Sequence, residues 1–178
     1  MGRIQDKKIL MIIAPKKFRD EELNHPREIF MREGASVEIA SSSLSEAGGM
    51  FGAKAKIDLL IKEVNYDNYD AVVVVGGMGA PEYLWGDTTL QNIISNANKS
   101  GKVVAAICLS GVVLARAGIL RGIEATVYKT SESLSEYSKW GAKYTTNNVV
   151  KSGSIITADG PASAKNFGNA VVDALAGI

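Results

Sequence analysis

Four short, almost continuous apolar runs, Ile9–Ala14, Val37–Ala40, Ala71–Val75 and Val103–Ile107, restrict this chain more than any other feature. They are rich in Val, Ile and Ala, with Glu38 the one polar interruption, so both faces must be covered. Strands of that kind belong to a parallel sheet with helices packed on either side. The intervening segments have helical character. "DEELNHPREIFMREG" stops at Gly34, and "TTLQNIISNANKSG" stops at Gly101 with Thr88 available as a cap. Strand alternating with helix predicts an α/β sandwich with a mainly parallel sheet.

The remaining chain is read in the same way. "GGMFGAKAKIDLLIKEV" is glycine-rich and then alternates, which suggests a hairpin beside the main sheet. After Leu120, "EATVYKT" reads as a strand and "SESLSEYSKWG" as a helix. "AKYTTNNVVKSGSIITAD" follows as a hairpin turning at Ser152-Gly153, and "GPASAKNFGNAVVDALAGI" as a closing helix. At 178 residues, burial reaches about 70% of what the unfolded chain exposes, and no repeat or linker divides the chain. One domain over residues 1–178 is expected.

Charge and cysteine content exclude several function classes. A net charge of +1 offers no basic field, so no nucleic-acid partner is expected. The opening apolar run is too short for a membrane span and carries no cleavage signature, so no membrane partner is expected either. One cysteine cannot form an internal disulfide, and a reducing cytoplasm is the natural location.

That cysteine, Cys108, directly follows the run Val103–Ile107 and precedes the helix-like "SGVVLARAG". Ligands of open α/β sheets gather at the carboxyl ends of the strands, so the position is that of a nucleophile elbow. Such a turn needs small residues two positions away on either side, and Ala106 and Ser110 supply them. The helix N-terminus beneath the sulfur should favour the thiolate and lower its pKa. An arbitrary lone cysteine is more often an inert buried hydrophobe, but the elbow position argues against that here. Gly77, after the strand Ala71–Val75, lets backbone N–H groups approach a developing oxyanion, and the N–H of Leu109 would be the second donor. As a dinucleotide fingerprint "GGMGAPE" lacks a third glycine, and a plain tight turn explains it equally well. The only histidine, His25, lies three residues after Glu22, which on a continuous helix would bring both to one face and allow a Cys108–His25–Glu22 relay. No set of His, Cys and acidic residues has metal-ligand spacing, so no metal and no cofactor are expected.

"AAICLSGVVLARAGIL", together with "YDAVVVVGGMGAPEYL", "FRDEELNHPREIFMREGASVEIAS" and "IITADGPASAKNFGNAVVDAL", resembles the PfpI/ThiJ (DJ-one-like) superfamily over nearly the whole chain. The resemblance implies a flavodoxin-like three-layer sandwich of the class I glutamine amidotransferase-like type, usually a homodimer, with a reactive cysteine in the elbow. It assigns that cysteine to Cys108 and the acid beside it to Glu22, anchored by the spacing from Glu22 to Pro26. Pro26 should make the helix begin late or kink, because it has no N–H to return to the Glu22 carbonyl. An ionised Glu22 would repel a thiolate, so the protonated form is expected. The resemblance also implies backbone donation from Gly77 and Leu109, and it aligns Glu82 with an acid that protease-like members contribute from a neighbouring subunit. The bland alternative for Glu82 is a helix-start acid after Pro81.

Two departures bear on activity. Leu109 stands where protease-like members carry a histidine after the cysteine, which argues against a protease or amidase. Asp159 stands where some relatives carry arginine. The function expected is therefore a cysteine-dependent, cofactor-independent enzyme acting on small reactive carbonyl compounds in the manner of a glyoxalase or deglycase. The alternative is a redox-responsive stress protein whose Cys108 is oxidised without turnover. Either way the partner is a small electrophile or oxidant. Lys16, Lys17 and Arg19 form a basic group beside this site, either for solubility or to draw anionic substrates. Trp85, Trp140 and Tyr83 are assigned to core packing or to an interface.

Overall fold

In the strand Lys8–Ile12, Ile9 and Met11 enter one apolar cluster while Leu10 and Ile12 enter another on the opposite side. All four are fully buried. A computed structural model describes residues 2–178.

In chain order the elements are β1 (Lys8–Ile12), β2 (Lys16–Phe18), α1 (Asp20–Arg32), β3 (Ser36–Ser41), β4 (Ala47–Gly49), β5 (Lys54–Ala55), β6 (Leu59–Leu60) and β7 (Ala71–Val74). They continue with α2 (Ala80–Tyr83), α3 (Thr88–Lys99), β8 (Val103–Ile107), α4 (Gly111–Arg116), β9 (Glu124–Ala125) and α5 (Ser131–Lys139). β10 (Lys143–Tyr144), β11 (Val149–Ser152), β12 (Ile155–Ala158) and α6 (Ala164–Leu175) complete the chain.

Seven strands form the main sheet in the order β11-β12-β8-β7-β1-β3-β6. Every neighbouring pair is parallel except β11 with β12. Side chains of α1 and α6 cover one face; those of α3, α4 and α5 cover the other. The chain builds outward from β1 to β3 and β6, then returns to lay β7 on the other side of β1, so the strand order reverses between β1 and β7. That reversal opens a crevice at the carboxyl rim. Val74 pairs with both Ile12 and Ala106, so Gly76 and Cys108, each two residues further on, reach the same rim.

Several local expectations change. The hairpin begins earlier than its glycines suggested: β4 and β5 pair antiparallel and join β2 in a separate small sheet, while Leu59–Leu60 attaches to the main sheet beside β3. Asp87, not Thr88, caps α3, because its extended backbone lets the carboxylate accept the Leu90 N–H at 3.0 Å. "EATVYKT" contributes only Glu124–Ala125, paired parallel with Lys143–Tyr144 in a two-stranded ribbon. The β11–β12 turn falls at Gly153 and Ser154, one residue later than expected, with Gly153 at φ 62°. Pro26 does not delay α1: the helix starts at Asp20 and runs through it, leaving the Glu22 carbonyl without its usual N–H donor.

Candidate functional site

The residue at the end of β8 turns the chain sharply. Cys108 has φ 61°, a left-handed conformation that costs a non-glycine residue about 1–2 kcal/mol, and it persists because its neighbours hold it. Ser110 is fully buried and donates its hydroxyl to the Val75 carbonyl at 2.6 Å, tying the start of the following turn to the end of β7. The indole N–H of Trp85 donates to the Leu109 carbonyl at 2.8 Å, and the Tyr128 N–H to the Cys108 carbonyl at 3.2 Å. A small residue at 106 or 110 is what such a crowded turn requires.

The opposing wall comes from the end of β7. A β-carbon on Gly76 would lie 2.5 Å from Glu22 Oε1 and from the Ile107 carbonyl oxygen, and 2.6 Å from Cys108 Cβ. Gly77, at φ 116°, is pressed against the backbone of Lys17, Phe18 and Arg19. No side chain fits in either place, and the backbone therefore comes close to the sulfur. The N–H groups of Leu109 and Gly77 face Cys108 and draw its pKa down.

Glu22 sits in the first turn of α1, yet it is fully buried, unlike Asp20 and Glu21 beside it. Neither of its carboxyl oxygens makes a well-formed hydrogen bond among the described residues, although the Cys108 thiol and the Gly76 N–H face it. Burial pushes its pKa up to about 8, against the smaller downward pulls of the Cys108 thiol, Arg19 and the Gly76 N–H. The carboxyl is accordingly protonated in neutral solution.

The thiol differs from its sequence expectation. Burial, reinforced by Glu22, raises the Cys108 pKa and outweighs the N–H groups of Leu109 and Gly77. The elbow and the loop after β7 each deliver one oriented N–H group, but together they are not enough to favour thiolate while the sulfur is 6% exposed. Ionisation of either group penalises that of the other, so the two protons are lost in coupled steps that belong to the pair.

Above the sulfur lies a pocket of about 340 Å³ whose walls include Met50, Met78, Leu109, Tyr128, Thr130 and Pro161. Arg19 also lines it, but its guanidinium is held by Glu21 through contacts of 2.8, 3.1 and 3.2 Å and lies over the Phe51 ring, 4.6 Å from its centre. The pocket is thus largely apolar, with its single cation already paired.

The DJ-1/PfpI family model matches residues 7–174. The chain belongs to the DJ-1/PfpI family. Among curated DJ-1/PfpI relatives, an uncharacterised protein of Methanocaldococcus jannaschii is 46% identical over 172 residues, 97% of this chain and 84% of that one. Deglycase PfpI of Pyrococcus furiosus is 35% identical over 119 residues, covering 67% of this chain and 71% of its own. The glutathione-independent glyoxalase DJR-1.2 of Caenorhabditis elegans is 28% identical over 171 residues, covering 96% and 90%. A crystal structure of a ThiJ/PfpI domain protein from Brachyspira murdochii superposes with a TM-score of 0.92 at 36% identity, over 98% of this chain and 99% of the other.

Within this DJ-1/PfpI fold the sequence-predicted residues separate. Cys108, Glu22, Gly77 and Leu109 converge. His25 does not join them: it lines a surface groove with Glu28, Arg32, Lys165 and Asn169 between α1 and α6, so the Cys108–His25–Glu22 relay has no geometry. Glu82 is exposed on the short helix α2, beside Tyr83. Lys16 and Lys17 are exposed, Trp85 braces the elbow, and Trp140 packs against the core. The sequence reading missed Met50, Met78, Tyr128, Thr130 and Pro161, which come from four separate connections between elements; no local motif marks such residues. No helix among the described residues is long and apolar enough to cross a membrane.

Proposed function

We propose that this chain is a cysteine-dependent enzyme acting on small 2-oxoaldehydes or their adducts, as the glyoxalase and deglycase names of its relatives suggest. The observation that carries the reading is a protonatable, fully buried carboxyl facing a pocket-lining thiol, with two backbone N–H groups aimed at the same sulfur. In this reading the Cys108 sulfur adds to the aldehyde carbon of methylglyoxal and forms a C–S bond. The oxyanion is held by Gly77 and Leu109 and takes up a proton to give a hemithioacetal. Glu22, through the minority of molecules in which it is ionised at neutral pH, takes the proton from the former aldehyde carbon and returns it to the neighbouring carbon as the ketone becomes an alcohol, leaving a thioester. Water then cleaves the C–S bond and releases lactate and the thiol. Oxidation of one carbon balances reduction of the next, so no external oxidant or reductant enters.

The test is methylglyoxal consumption matched by lactate formation in homogeneous protein. Cys108→Ala should abolish both while the circular dichroism spectrum is retained; an unchanged rate in that variant removes the proposal.

One observation favours a second reading. Neither Glu22 oxygen is held in a well-formed hydrogen bond, although the Cys108 thiol and the Gly76 N–H face the carboxyl, so in its protonated form it has a hydrogen bond to give to an oxidised sulfur, as a redox-responsive protein would need. Limiting peroxide should then add two oxygens to Cys108 by intact mass, and far less in Glu22→Ala. A protease or amidase is disfavoured by Leu109 and by the distant placement of His25.

A further inference from the structure

A second concavity, of about 470 Å³, adjoins the one above Cys108 and is walled by Tyr128, Lys129, Tyr144, Asp159, Gly160 and Pro161 among others. Tyr128 and Pro161 line both. The shared wall is fixed in place. Besides the Tyr128 N–H bond to the Cys108 carbonyl, the Tyr128 carbonyl accepts the Ser133 hydroxyl at 2.6 Å. Its ring lies against Gly160, where a β-carbon would come within 3.2 Å of it.

The two pockets differ in chemistry. The inner one is apolar and its cation is spent on Glu21. The outer one presents Lys129 and Asp159, opposite charges of which neither enters an ion pair among the described residues. Asp159 is held in position: its Oδ1 accepts the hydroxyl of buried Ser163 at 2.7 Å, and its N–H donates to the Asn148 carbonyl at 3.0 Å. That leaves Oδ2 without a protein donor. Phenol rings of Tyr128 and Tyr144 line the pocket with these charges.

We propose that the outer pocket is a second subsite, which binds the ammonium and carboxylate of a free amino acid whose side chain carries the adduct processed over Cys108. The ammonium pairs with Asp159 beside the tyrosine faces, and the carboxylate pairs with Lys129. An anion such as phosphate would meet Asp159, and a polyamine would meet Lys129, so a net-neutral ligand with both signs fits best. What occupies the inner pocket rests on the functional reading above; the ligand of the outer pocket does not.

The binding arm uses the intact protein and unreactive probes. Amide chemical shifts are followed during titration with free arginine and with Nα-acetylarginine amide, which has neither backbone charge. Free arginine should shift Tyr128, Lys129, Asp159 and Gly160, and bind at least about fivefold more tightly than the blocked form. Asp159→Asn should remove that difference. Absence of shifts at these residues, or equal binding of the two probes, overturns the subsite whether or not the enzyme turns over. The kinetic arm compares free methylglyoxal with its adduct on the side-chain guanidinium of free arginine. Asp159→Asn and Lys129→Met should lower kcat/KM for the adduct at least about fivefold and leave free methylglyoxal unchanged. If wild type consumes neither compound, the functional reading falls and the binding arm alone decides the subsite.

Discussion

Glu22 on α1 and Cys108 after β8 meet at the sheet rim, the carboxyl fully buried and the thiol 6% exposed. Burial raises the pKa of both, and the ionisation of either penalises the other. Below about pH 8 Glu22 is neutral and adds no repulsion; above it the carboxylate opposes the thiolate. Glu22→Gln removes that opposition while keeping the shape. Alkylation of Cys108 should run similarly in both proteins below about pH 8 and become faster in the variant above it, by about tenfold at high pH for a partly screened charge at contact. Superimposable pH profiles would show that the two groups are not coupled.

The same carboxyl makes stability depend on pH. Its pKa rises from 4.5 in the ordinary state to about 8 in the fold, so between those values the folded chain keeps a proton that the unfolded chain has lost. Stability therefore falls as pH rises through this window, by on the order of 5 kcal/mol for a fully retained difference. Thermal unfolding followed from pH 4.5 to pH 8 should show a loss in wild type and a flatter curve in Glu22→Gln. The two proteins should be closest at the acid end, where Glu22 is neutral in both states.

Gly76 separates the three groups that define the site. A β-carbon there would strike Glu22 Oε1, the Ile107 carbonyl and Cys108 Cβ, two of them on the rigid elbow. Gly76→Ala should cost about 3 kcal/mol, at the upper end for overpacking, or force Glu22 out of place and lose methylglyoxal turnover. Gly86→Ala is the control, because a β-carbon there meets nothing within 4 Å. Denaturant midpoints of the two variants, with m-values compared, measure the difference.

Why some of this was legible in the sequence and some was not follows from range. The strands Ile9–Ala14 and Val103–Ile107 announce themselves because burial on both faces removes every polar residue, and the elbow because a cysteine there needs Ala106 and Ser110. The burial of Glu22 is not local. Asp20, Glu21 and Glu22 are equivalent first-turn acids until the fold brings Gly76 and Cys108 over one of them. The direction of the thiol shift escaped for a related reason, since the helix field can be read from the sequence whereas desolvation depends on the completed pocket. Tyr128 was invisible because its place beside Cys108 rests on one backbone hydrogen bond between residues twenty positions apart.

Glu22 is carried by α1, which packs closely on α6. At their contact Gly168 faces Pro26, and a β-carbon on it would lie 3.0 Å from Pro26 Cα and 3.1 Å from Ile29 Cδ1. The side chain of Ile29 can turn aside, but the backbone at Pro26 cannot without moving the helix. Gly168→Leu should therefore push α1 outward at a cost of about 1–3 kcal/mol and let water reach Glu22. Its carboxyl pKa should then drop back toward the ordinary value, and the decline in stability from pH 4.5 to pH 8 should flatten as it does in Glu22→Gln. Gly168→Ala needs a shift of only a few tenths of an ångström and should keep the wild-type slope. A Gly168→Leu variant that loses stability equally at every pH would mean that the helix contact supports the fold without setting the environment of Glu22.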